Sequence, residues 1–309
     1  MITFEQVEQY LANTKKPVQL VKHLKDVKPE KLNSTLMVQQ KYDGVFVAHV
    51  CINGEARMYS RTGKELFNNG VPAPCIGTDG VYIGEVVNDF ASLEVLSGLL
   101  NPNRTKEWTG SERLMMEGTE VMYHDYLTLD EFLAGYSDTP YERRILNLRV
   151  CACSGTRIVD TKYLGYIDEA LDYAMDIIAH GGEGIVIKLP KGDWKAGRRD
   201  FNVTKFVSIV HYDLLCTGVK YGEGKRAGQI AALEFQGSQG KPFYADFAGM
   251  TDEARIGLTE VYEKDPSTVV GKIWEVRGLC NSSTGNSIRL PKVIRLRLDK
   301  DTPDELPRN

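Results

Sequence analysis

An apolar run that ends in an Asn-Gly dipeptide constrains the fold of this chain more than any other feature of its sequence. The run VFVAHVCI occupies residues 45–52, and Asn53 and Gly54 follow it directly. Asn-Gly is preferred in two-residue hairpin turns, because both central residues of such a turn need a positive φ. The pattern therefore predicts a buried strand that reverses into an antiparallel partner. Lys41 is expected at the head of this strand, where a long cation needs an anion beside it.

Further patterns in the first 207 residues predict a β-rich region with a few helices. Strands are expected at residues 81–88, 118–127 and 183–190. A short helix is expected at residues 4–13. The apolar residues of 167–178 recur at the spacing of one helix face, and Gly181 and Gly182 then end that helix.

After Lys205 the pattern changes to short strands separated by glycine-containing turns. The five segments are YDLLCTGVKYG, GQIAALEFQG, KPFYADFAG, GKIWEVRGL and PKVIRLRLD. Five strands of this kind predict a small barrel of the oligonucleotide-binding (OB) type. We therefore expect an α+β chain with two domains, residues 1–207 and 208–309.

Composition is ordinary for a globular protein in a reducing compartment. The chain has 309 residues, a net charge of −4 and six cysteines, which are scattered without the paired C-x-x-C spacing of a zinc site. No apolar run approaches the ~20 residues that a membrane span needs. The N-terminus does not follow the pattern of a signal peptide. These observations predict a cytoplasmic monomer that does not contact a membrane.

A compact group of basic residues lies near the C-terminus. We call it the basic strip, and its members are Arg289, Lys292, Arg295, Arg297 and Lys300. Residues 285–300 contain a single acid, Asp299. Two interpretations stay open: the strip contacts the phosphates of a nucleic acid, or it is a solvated edge strand whose charges prevent aggregation.

Charged and polar residues interrupt the apolar segments in a way that needs an explanation. The set comprises Lys41, Asp43, Arg61, Glu85, His124, Asp125, Glu183, Lys188 and Lys205. Buried charges are costly unless they are paired, so these residues either neutralise each other or form a binding pocket. A pocket of this composition suits a polyphosphate and its metal, with cations on phosphate and carboxylates on Mg²⁺. Lys41, as a free amine, is able to attack the α-phosphate of a nucleotide to give a phosphoramidate.

Five short segments, in this order, resemble the covalent nucleotidyltransferase motifs of ATP-dependent DNA ligases, RNA ligases and capping enzymes. They are KYDG (41–44), SRTGK (60–64), GE (84–85), EGIVIK (183–188) and the final Lys205. Residues 89–110 resemble DNA ligases in particular, above all the small bacteriophage enzymes with two domains. The resemblance implies an antiparallel-sheet, ATP-grasp-like nucleotidyltransferase domain at 1–207 and an OB-fold domain at 208–309.

The resemblance also implies a role for each matching position. Lys41 would be the adenylated nucleophile, and Glu183 and Glu85 would hold the metal. The ATP- or AMP-binding residues would be Gln39, Gln40, Arg61, Glu85, Tyr123, His124, Lys188 and Lys205. Within this set, Gln39 and Gln40 would read the adenine edge, and either Tyr123 or His124 would stack on the base. The basic strip would contact DNA and the pyrophosphate of ATP.

The implied activity is that of a DNA ligase that uses ATP and Mg²⁺ or Mn²⁺ on nicked double-stranded DNA. Lys41 would take AMP from ATP, the AMP would pass to the 5′-phosphate at the nick, and the 3′-hydroxyl would then seal the break. The resemblance implies service in DNA replication, repair and recombination. It also implies a bacteriophage source and action in the cytoplasm of the infected bacterium.

Two other functions stay open on the sequence alone. RNA ligases and capping enzymes share the first step and use another acceptor. The chain departs from the motifs at three positions, and the departures at Phe46 and Val203 support a non-catalytic nucleic-acid-binding protein on the same fold. Phe46 stands where the motif usually has arginine, Val203 where it has lysine, and Ile83 where it has an acid.

Overall fold

The computed structural model describes residues 2–180, 182–207, 209–237, 240–278, 287–288 and 290–306. Arg289, a member of the basic strip, lies outside these described residues. The chain divides into two units, Met1–Val207 and Ser208–Asn309.

The first unit contains two sheets, a two-stranded ribbon, six α-helices and two short 3₁₀ helices (Leu24–Asp26 and Pro29–Leu32) among its described residues. Its helices are α1 (Phe4–Asn13), α2 (Leu93–Leu99), α3 (Gly110–Glu117), α4 (Leu129–Ala134), α5 (Tyr141–Cys151) and α6 (Ile167–Ala179). Its strands are β1 (Leu20–His23), β2 (Leu36–Lys41), β3 (Val45–Ile52), β4 (Glu55–Tyr59), β5 (Gly80–Asn88), β6 (Thr119–Leu127), β7 (Tyr136–Ser137), β8 (Thr161–Leu164), β9 (Gly184–Lys188), β10 (Trp194–Lys195) and β11 (Arg199–Val207).

The two sheets are built from different parts of the chain. The larger sheet has the order β1-β11-β9-β2-β8, in which only the β1–β11 pair is parallel. The smaller sheet has the order β4-β3-β5-β6 and is antiparallel throughout. Strands β7 and β10 form the separate ribbon.

Lys41 is the last residue of β2 in the larger sheet, so its expected place at the head of the Val45–Ile52 strand is wrong. The KYDG segment leaves the larger sheet at Lys41 and enters the smaller sheet at Val45. Gly44 makes this passage possible, because a Cβ at this position would overlap the carbonyl oxygen of Val86 on β5. Lys41, the candidate nucleophile, therefore lies where the chain passes from the larger sheet to the smaller one.

The predicted hairpin and helices are present. Asn53 and Gly54 have φ values of 51° and 81°, the positive values that the turn requires, and Ile52 pairs with Glu55 across it. Helix α1 has the predicted bounds. Helix α6 ends at Ala179. Gly181 of its predicted cap lies outside the described residues.

Hydrophobic clusters hold each sheet against its helices. Helix α6 buries Ala170, Ala174 and Ile177 against the larger sheet, as its 3.6-residue apolar spacing requires. Helices α1 and α4 pack on one side of the smaller sheet. Met37 of β2 packs among tyrosines of the smaller sheet, so the two sheets also face each other across a shared apolar layer.

The second unit is a closed five-stranded barrel, which confirms the predicted OB-like architecture. Its strands are β12 (Val210–Tyr221), β13 (Ile230–Gln236), β14 (Pro242–Phe247), β15 (Ile273–Gly278) and β16 (Lys292–Leu296), in the order β12-β13-β14-β16-β15. Phe235, Trp274 and Val276 are among the residues that fill its core. A helix that the sequence did not predict, α7 (Asp252–Lys264), follows β14 and is capped by the Thr251 side chain.

Within the described residues, every helix is too short or too polar to cross a membrane.

Candidate active site

A cleft opens between the two sheets of the first unit. Side chains from both sheets line it, among them Gln39, Lys41, Phe46, Arg61, Ile83, Glu85, Met122, His124, Val186, Lys188 and Val203. Strands β2, β9 and β11 supply one wall, and β3, β5 and β6 supply the other. Most of the charged residues that the sequence singled out therefore meet in one place.

Lys41, which lines this cleft, forms an ion pair with Glu183. Lys41 Nζ lies 2.7 Å from Glu183 Oε2, and the Glu183 side chain is 7% exposed. The pairing follows from strand register, because Lys41 lies opposite Gly184 across β2 and β9. Gly184 has a φ of 139°, and a Cβ there would overlap the carbonyl oxygen of Phe206 on β11. A glycine at 184 thus lets three strands pack closely and sets Glu183 beside Lys41.

Glu85 is a second carboxylate of the cleft, on β5. Its burial raises its pKa to about 7, and the nearby carboxylate of Glu183 adds to this rise. Lys41 and Arg61 act in the opposite direction. Glu85 and Glu183 are thus close enough to repel each other, a condition that a bound cation would relieve.

The aromatic ring of Phe46 makes a cation–π contact with Arg61. The guanidinium carbon of Arg61 lies 5.3 Å from the centre of the Phe46 ring, which is a cation–π geometry. Phe46 occupies the position at which the motif usually carries an arginine. In this chain the side chain at that position is an aromatic ring that contacts Arg61 instead.

Lys188 and His124 form a buried pair at the inner end of the cleft. Lys188 Nζ donates to the carbonyl oxygen of His124 at 2.9 Å and lies 3.1 Å from His124 Nδ1. Burial lowers the pKa of Lys188 to about 8, and the nearby Arg144 lowers it further while Asp125 opposes the change. Burial and the Lys188 charge lower the pKa of His124 to about 3, so its ring is neutral and Nδ1 accepts from Lys188.

Lys205 of β11 approaches the same region. Burial lowers its pKa, and the positive charge of Lys41 lowers it further. Val203, two residues earlier on the same strand, lines the cleft. Side chains two apart share one face of a strand, so Lys205 points toward the Lys41–Glu183 pair.

Tyr123 does not face the cleft, so the structure favours His124 of the two alternatives for a base-stacking residue. The pairing of β5 with β6 skips His124, because Ile83 lies opposite Asp125 and Gly84 opposite Tyr123. This β-bulge turns His124 toward the cleft and Tyr123 into the core. The Tyr123 hydroxyl lies 2.6 Å from His49 Nδ1, and its ring is 3% exposed.

The two predicted glutamines point in opposite directions from β2. Gln39 is buried at the cleft, where its side chain contacts Tyr141 and Thr161. The Gln40 side-chain amide lies near Gly182, on the side of α6. Both glutamines line the cleft, and of the two Gln39 is the buried one.

Asp125 and Arg144 make a buried structural pair behind the cleft. Arg144 Nε and Nη2 donate to the two carboxylate oxygens of Asp125 at 2.8 and 3.1 Å. Arg144 Nη1 also donates to the carbonyl oxygens of Thr139 and Gly192. Burial alone would raise the pKa of Asp125, yet the Arg144 charge outweighs it and the pKa is lowered. The burial of Arg144 and of Tyr141 beside it is not predictable from the sequence, because nothing in the YERR segment marks either residue as buried.

The basic strip of the second unit is largely neutralised. Lys292 Nζ lies 3.0 Å from Asp246 Oδ2, and Arg295 Nε lies 2.7 Å from Glu275 Oε2. Arg297 Nη1 binds both oxygens of Asp213 at 2.7 and 2.8 Å, and Lys300 Nζ lies 3.4 Å from the same carboxylate. Each described member of the strip thus has an acidic partner within the barrel.

The carboxylates of the cleft suit a magnesium ion. Within the described ranges, no group of three or more His, Cys, Asp or Glu side chains is arranged to hold a metal on its own. Mg²⁺ is commonly bound by one or two carboxylates together with substrate phosphates. Glu85 and Glu183 supply two carboxylates, and the pKa of Glu85 is raised mainly by burial, with a smaller contribution from the charge of Glu183.

Known proteins resemble this chain over most of its length. A DNA ligase of Natronomonas pharaonis is 26% identical over 87% of this chain and 53% of that protein. A DNA ligase of Methanothrix thermoacetophila is 29% identical over 87% of this chain and 52% of that protein. The chain thus spans about half the length of these curated relatives.

Solved ligase structures share the fold. The structure named Pmar-Lig_PreS3 has a TM-score of 0.71 and 19% identity, covering 91% of this chain and 67% of its own. A structure from a study of Lig E DNA ligases has a TM-score of 0.67 and 16% identity, covering 91% of this chain and 98% of its own. These matches confirm the predicted nucleotidyltransferase and OB-like fold class.

The sequence model for the ATP-dependent DNA ligase domain matches residues 15–206. This range is more than half of the chain and contains the cleft with Lys41, Glu85, Glu183 and Lys188. The chain therefore belongs to the ATP-dependent DNA ligase domain family.

Proposed function

We propose that this chain is an ATP-dependent DNA ligase that carries AMP on Lys41 and joins nicks in double-stranded DNA. The family match over residues 15–206 supports the class of reaction. The observation that carries the proposal is the position of Lys41, whose amine lies 2.7 Å from a buried carboxylate in a cleft of converging cations and acids.

ATP would bind with its base at the inner end of the cleft. Gln39 faces that end, and His124 offers a neutral ring for stacking. Arg61 and Glu85 would contact the ribose, where Glu85 accepts hydrogen bonds from hydroxyl groups. Lys188 and Lys205 would hold the α-phosphate and balance the negative charge that grows on it during transfer.

Self-adenylation would then join Lys41 Nζ to the α-phosphorus and break the bond from that phosphorus to the β-phosphate oxygen. Pyrophosphate leaves, and Lys41 must lose a proton before it attacks, since only the free amine is nucleophilic. Glu183 Oε2 is placed to accept this proton. In the second step AMP passes from Lys41 to the 5′-phosphate at the nick. In the third step the 3′-hydroxyl attacks that 5′-phosphate and AMP leaves.

Magnesium, or manganese in its place, would be held by Glu183 and Glu85 together with phosphate oxygens. When bound, such an ion neutralises phosphate charge and polarises the phosphoryl group. The residues of this chain would orient the nucleotide so that the Lys41 amine and the α-phosphorus face each other.

The acceptor proposed is nicked DNA, with the basic strip of the barrel contacting its backbone. The match to the DNA ligase family supports DNA over the RNA acceptors of RNA ligases and capping enzymes. A monomeric state, a bacteriophage source, action in the cytoplasm of an infected host, and roles in replication, repair and recombination stay predictions.

Intact-mass measurement tests the proposal directly. Incubation with ATP and Mg²⁺ should add the mass of one AMP, and nicked duplex DNA should then remove it and become sealed. Lys41→Ala should take up no AMP. Lys162→Ala is the matched control, because Lys162 lies over the Tyr173 ring on the α6 side of the same sheet, and it should label normally. Labelling of Lys41→Ala protein, or no labelling of the unaltered chain with any nucleotide, would contradict the mechanism.

A further inference from the structure

A short chain of hydrogen bonds behind the cleft fixes the side chain of Gln39. Gln39 Nε2 lies 2.8 Å from the Tyr141 hydroxyl and 2.9 Å from Thr161 Oγ1. The Tyr141 hydroxyl donates to the carbonyl oxygen of His124 at 2.8 Å. Thr161 Oγ1 lies 3.4 Å from the carbonyl oxygen of Val159. Gln39 and Tyr141 are 2% and 1% exposed, so water does not replace these contacts.

The direction of each hydrogen bond follows from the two ends of the chain. A backbone carbonyl only accepts, so the Tyr141 hydroxyl must give its one proton to His124. Burial raises the pKa of Tyr141 well above its ordinary value, so the hydroxyl keeps that proton. Tyr141 must therefore accept from Gln39, and the same reasoning makes Thr161 an acceptor when it donates to Val159. Both amide hydrogens of Gln39 are then used, and its carbonyl oxygen is the group left for a ligand in the cleft.

We propose that Tyr141 and Thr161 lock the Gln39 amide so that the cleft accepts adenine and rejects guanine. Tyr141 is thus a positioning residue, and the inference rests on the function proposed above. Adenine carries an amino donor at its 6-position, whereas guanine carries an oxygen acceptor at the equivalent position. A locked carbonyl oxygen binds the first and opposes the second. A glutamine that could rotate its amide would accept both bases.

Tyr141→Phe tests the lock with little disturbance to packing. The phenyl ring still supports Lys188, whose Nζ lies 4.2 Å from the ring centre. The carbonyl oxygen of His124 also keeps its hydrogen bond from Lys188. Only the fixed acceptor for Gln39 is lost, and the amide is then free to turn because the Thr161 hydroxyl both donates and accepts.

The experiment compares ATP with GTP by covalent labelling and by the thermal shift that each nucleotide induces. The unaltered chain should prefer ATP, and Tyr141→Phe should reduce that preference about tenfold. This factor corresponds to the free energy of one hydrogen bond between uncharged groups. Thr161→Val should reduce it in the same direction. Tyr82→Phe is the matched control, and it should keep the full preference. The buried Tyr82 hydroxyl lies 2.8 and 3.0 Å from the carbonyl oxygens of Thr78 and Cys151, away from Gln39.

The outcomes separate the inference from the proposed function. If the unaltered chain labels with ATP while Tyr141→Phe and Thr161→Val keep the full preference for ATP, the lock is wrong and the ligase function stands. If the unaltered chain labels with no nucleotide, the proposed function fails. The thermal shift then still tests the lock, and equal shifts with ATP and GTP for the unaltered chain would overturn it.

Discussion

At the scale of single residues, the cleft concentrates charge that the folded chain alone does not fully satisfy. Lys41 is one cation shared between two carboxylates, and it contacts Glu183 directly. Glu85, the other carboxylate, is left with a raised pKa. An isolated buried carboxylate lowers stability at neutral pH, and a bound cation would offset that cost.

Glu85→Gln should therefore stabilise the chain and inactivate it. The carboxyl has a pKa of about 7 in the folded chain and an ordinary value of 4.5, so its stabilising contribution is full below about pH 4.5 and is lost as pH rises through 7. The cost at pH 8 is on the order of 3 kcal/mol, which the amide avoids. Thermal unfolding at pH 5 and pH 8 should show a gain in Tm that is larger at pH 8. A gain of the same size at both pH values would argue against the raised pKa.

Arg144 has the opposite character, because it serves the structure and not the ligand. Arg144→Ala should destabilise the first unit by about 3–5 kcal/mol, since Asp125 would be left as a buried charge without its partner. Arg143→Ala is the control, as Arg143 is exposed on the same helix and should change stability by less than about 0.5 kcal/mol. Urea unfolding measures both, and equal effects would show that the pair is not what stabilises this region.

At the scale of elements, glycines determine how closely the strands around Lys41 approach each other. Gly44 and Gly184 both lie where a Cβ would overlap a carbonyl oxygen of a neighbouring strand. The cleft geometry thus depends on two positions that carry no functional group.

Gly44→Ala should lower stability by about 1–3 kcal/mol and slow self-adenylation, because β3 must shift away from β5. Gly98→Ala is the matched control. Gly98 lies in helix α2 with open space around its Cβ position, so alanine there should stabilise the chain slightly. Unfolding and labelling rates would be compared. An unaffected labelling rate in Gly44→Ala would show that the Lys41 position tolerates movement of β3.

The elements that the sequence predicts correctly are those with strong local signals. The Asn53-Gly54 turn, α1 and the five barrel strands each carry a turn dipeptide, a cap or a regular apolar period. Strand β11 was not predicted, because its sequence RDFNVTKFV mixes polar and apolar residues. Its antiparallel pairing with β9 is what stabilises it as a strand. Helix α7 escaped because its apolar face is weak and it is fixed by Arg255 hydrogen bonds to β13.

The site was predictable in content and less so in orientation. Lys41, Arg61, Glu85 and Lys188, whose identity is visible in the sequence, do line the cleft, and Glu183 is paired with Lys41. The choice between Tyr123 and His124 depends on a bulge in β6, which leaves no mark in the sequence. The contribution of Tyr141 depends on a contact between residues 102 positions apart.

At the scale of the whole molecule, two units contribute unlike surfaces. The first unit, Met1–Val207, holds the cleft, and the barrel of Ser208–Asn309 holds the basic strip with its acidic partners. If the strip contacts DNA, phosphates must compete with Asp246 and Glu275 for the cations. The strength of these ion pairs would then limit the affinity of the chain for a nucleic acid.

Asp246→Asn should strengthen binding to nicked DNA and steepen its salt dependence by about one ion, because Lys292 would be released to a phosphate. Asp252→Asn is the control, as this exposed acid on α7 is paired with Arg226 and not with the strip. Fluorescence anisotropy across a range of salt concentrations measures both. An unchanged slope in Asp246→Asn would favour the edge-strand interpretation of the basic strip.

The KYDG segment connects the two sheets, and this connection restricts how the cleft can open. Lys41 ends β2 and Val45 begins β3, so three residues connect the two walls beside Lys41. Because this connection is short, we expect the two walls to stay close together at that corner. We therefore expect any widening that admits a nucleotide to be wedge-shaped, narrowest at Lys41 and widest at the far rim of the cleft.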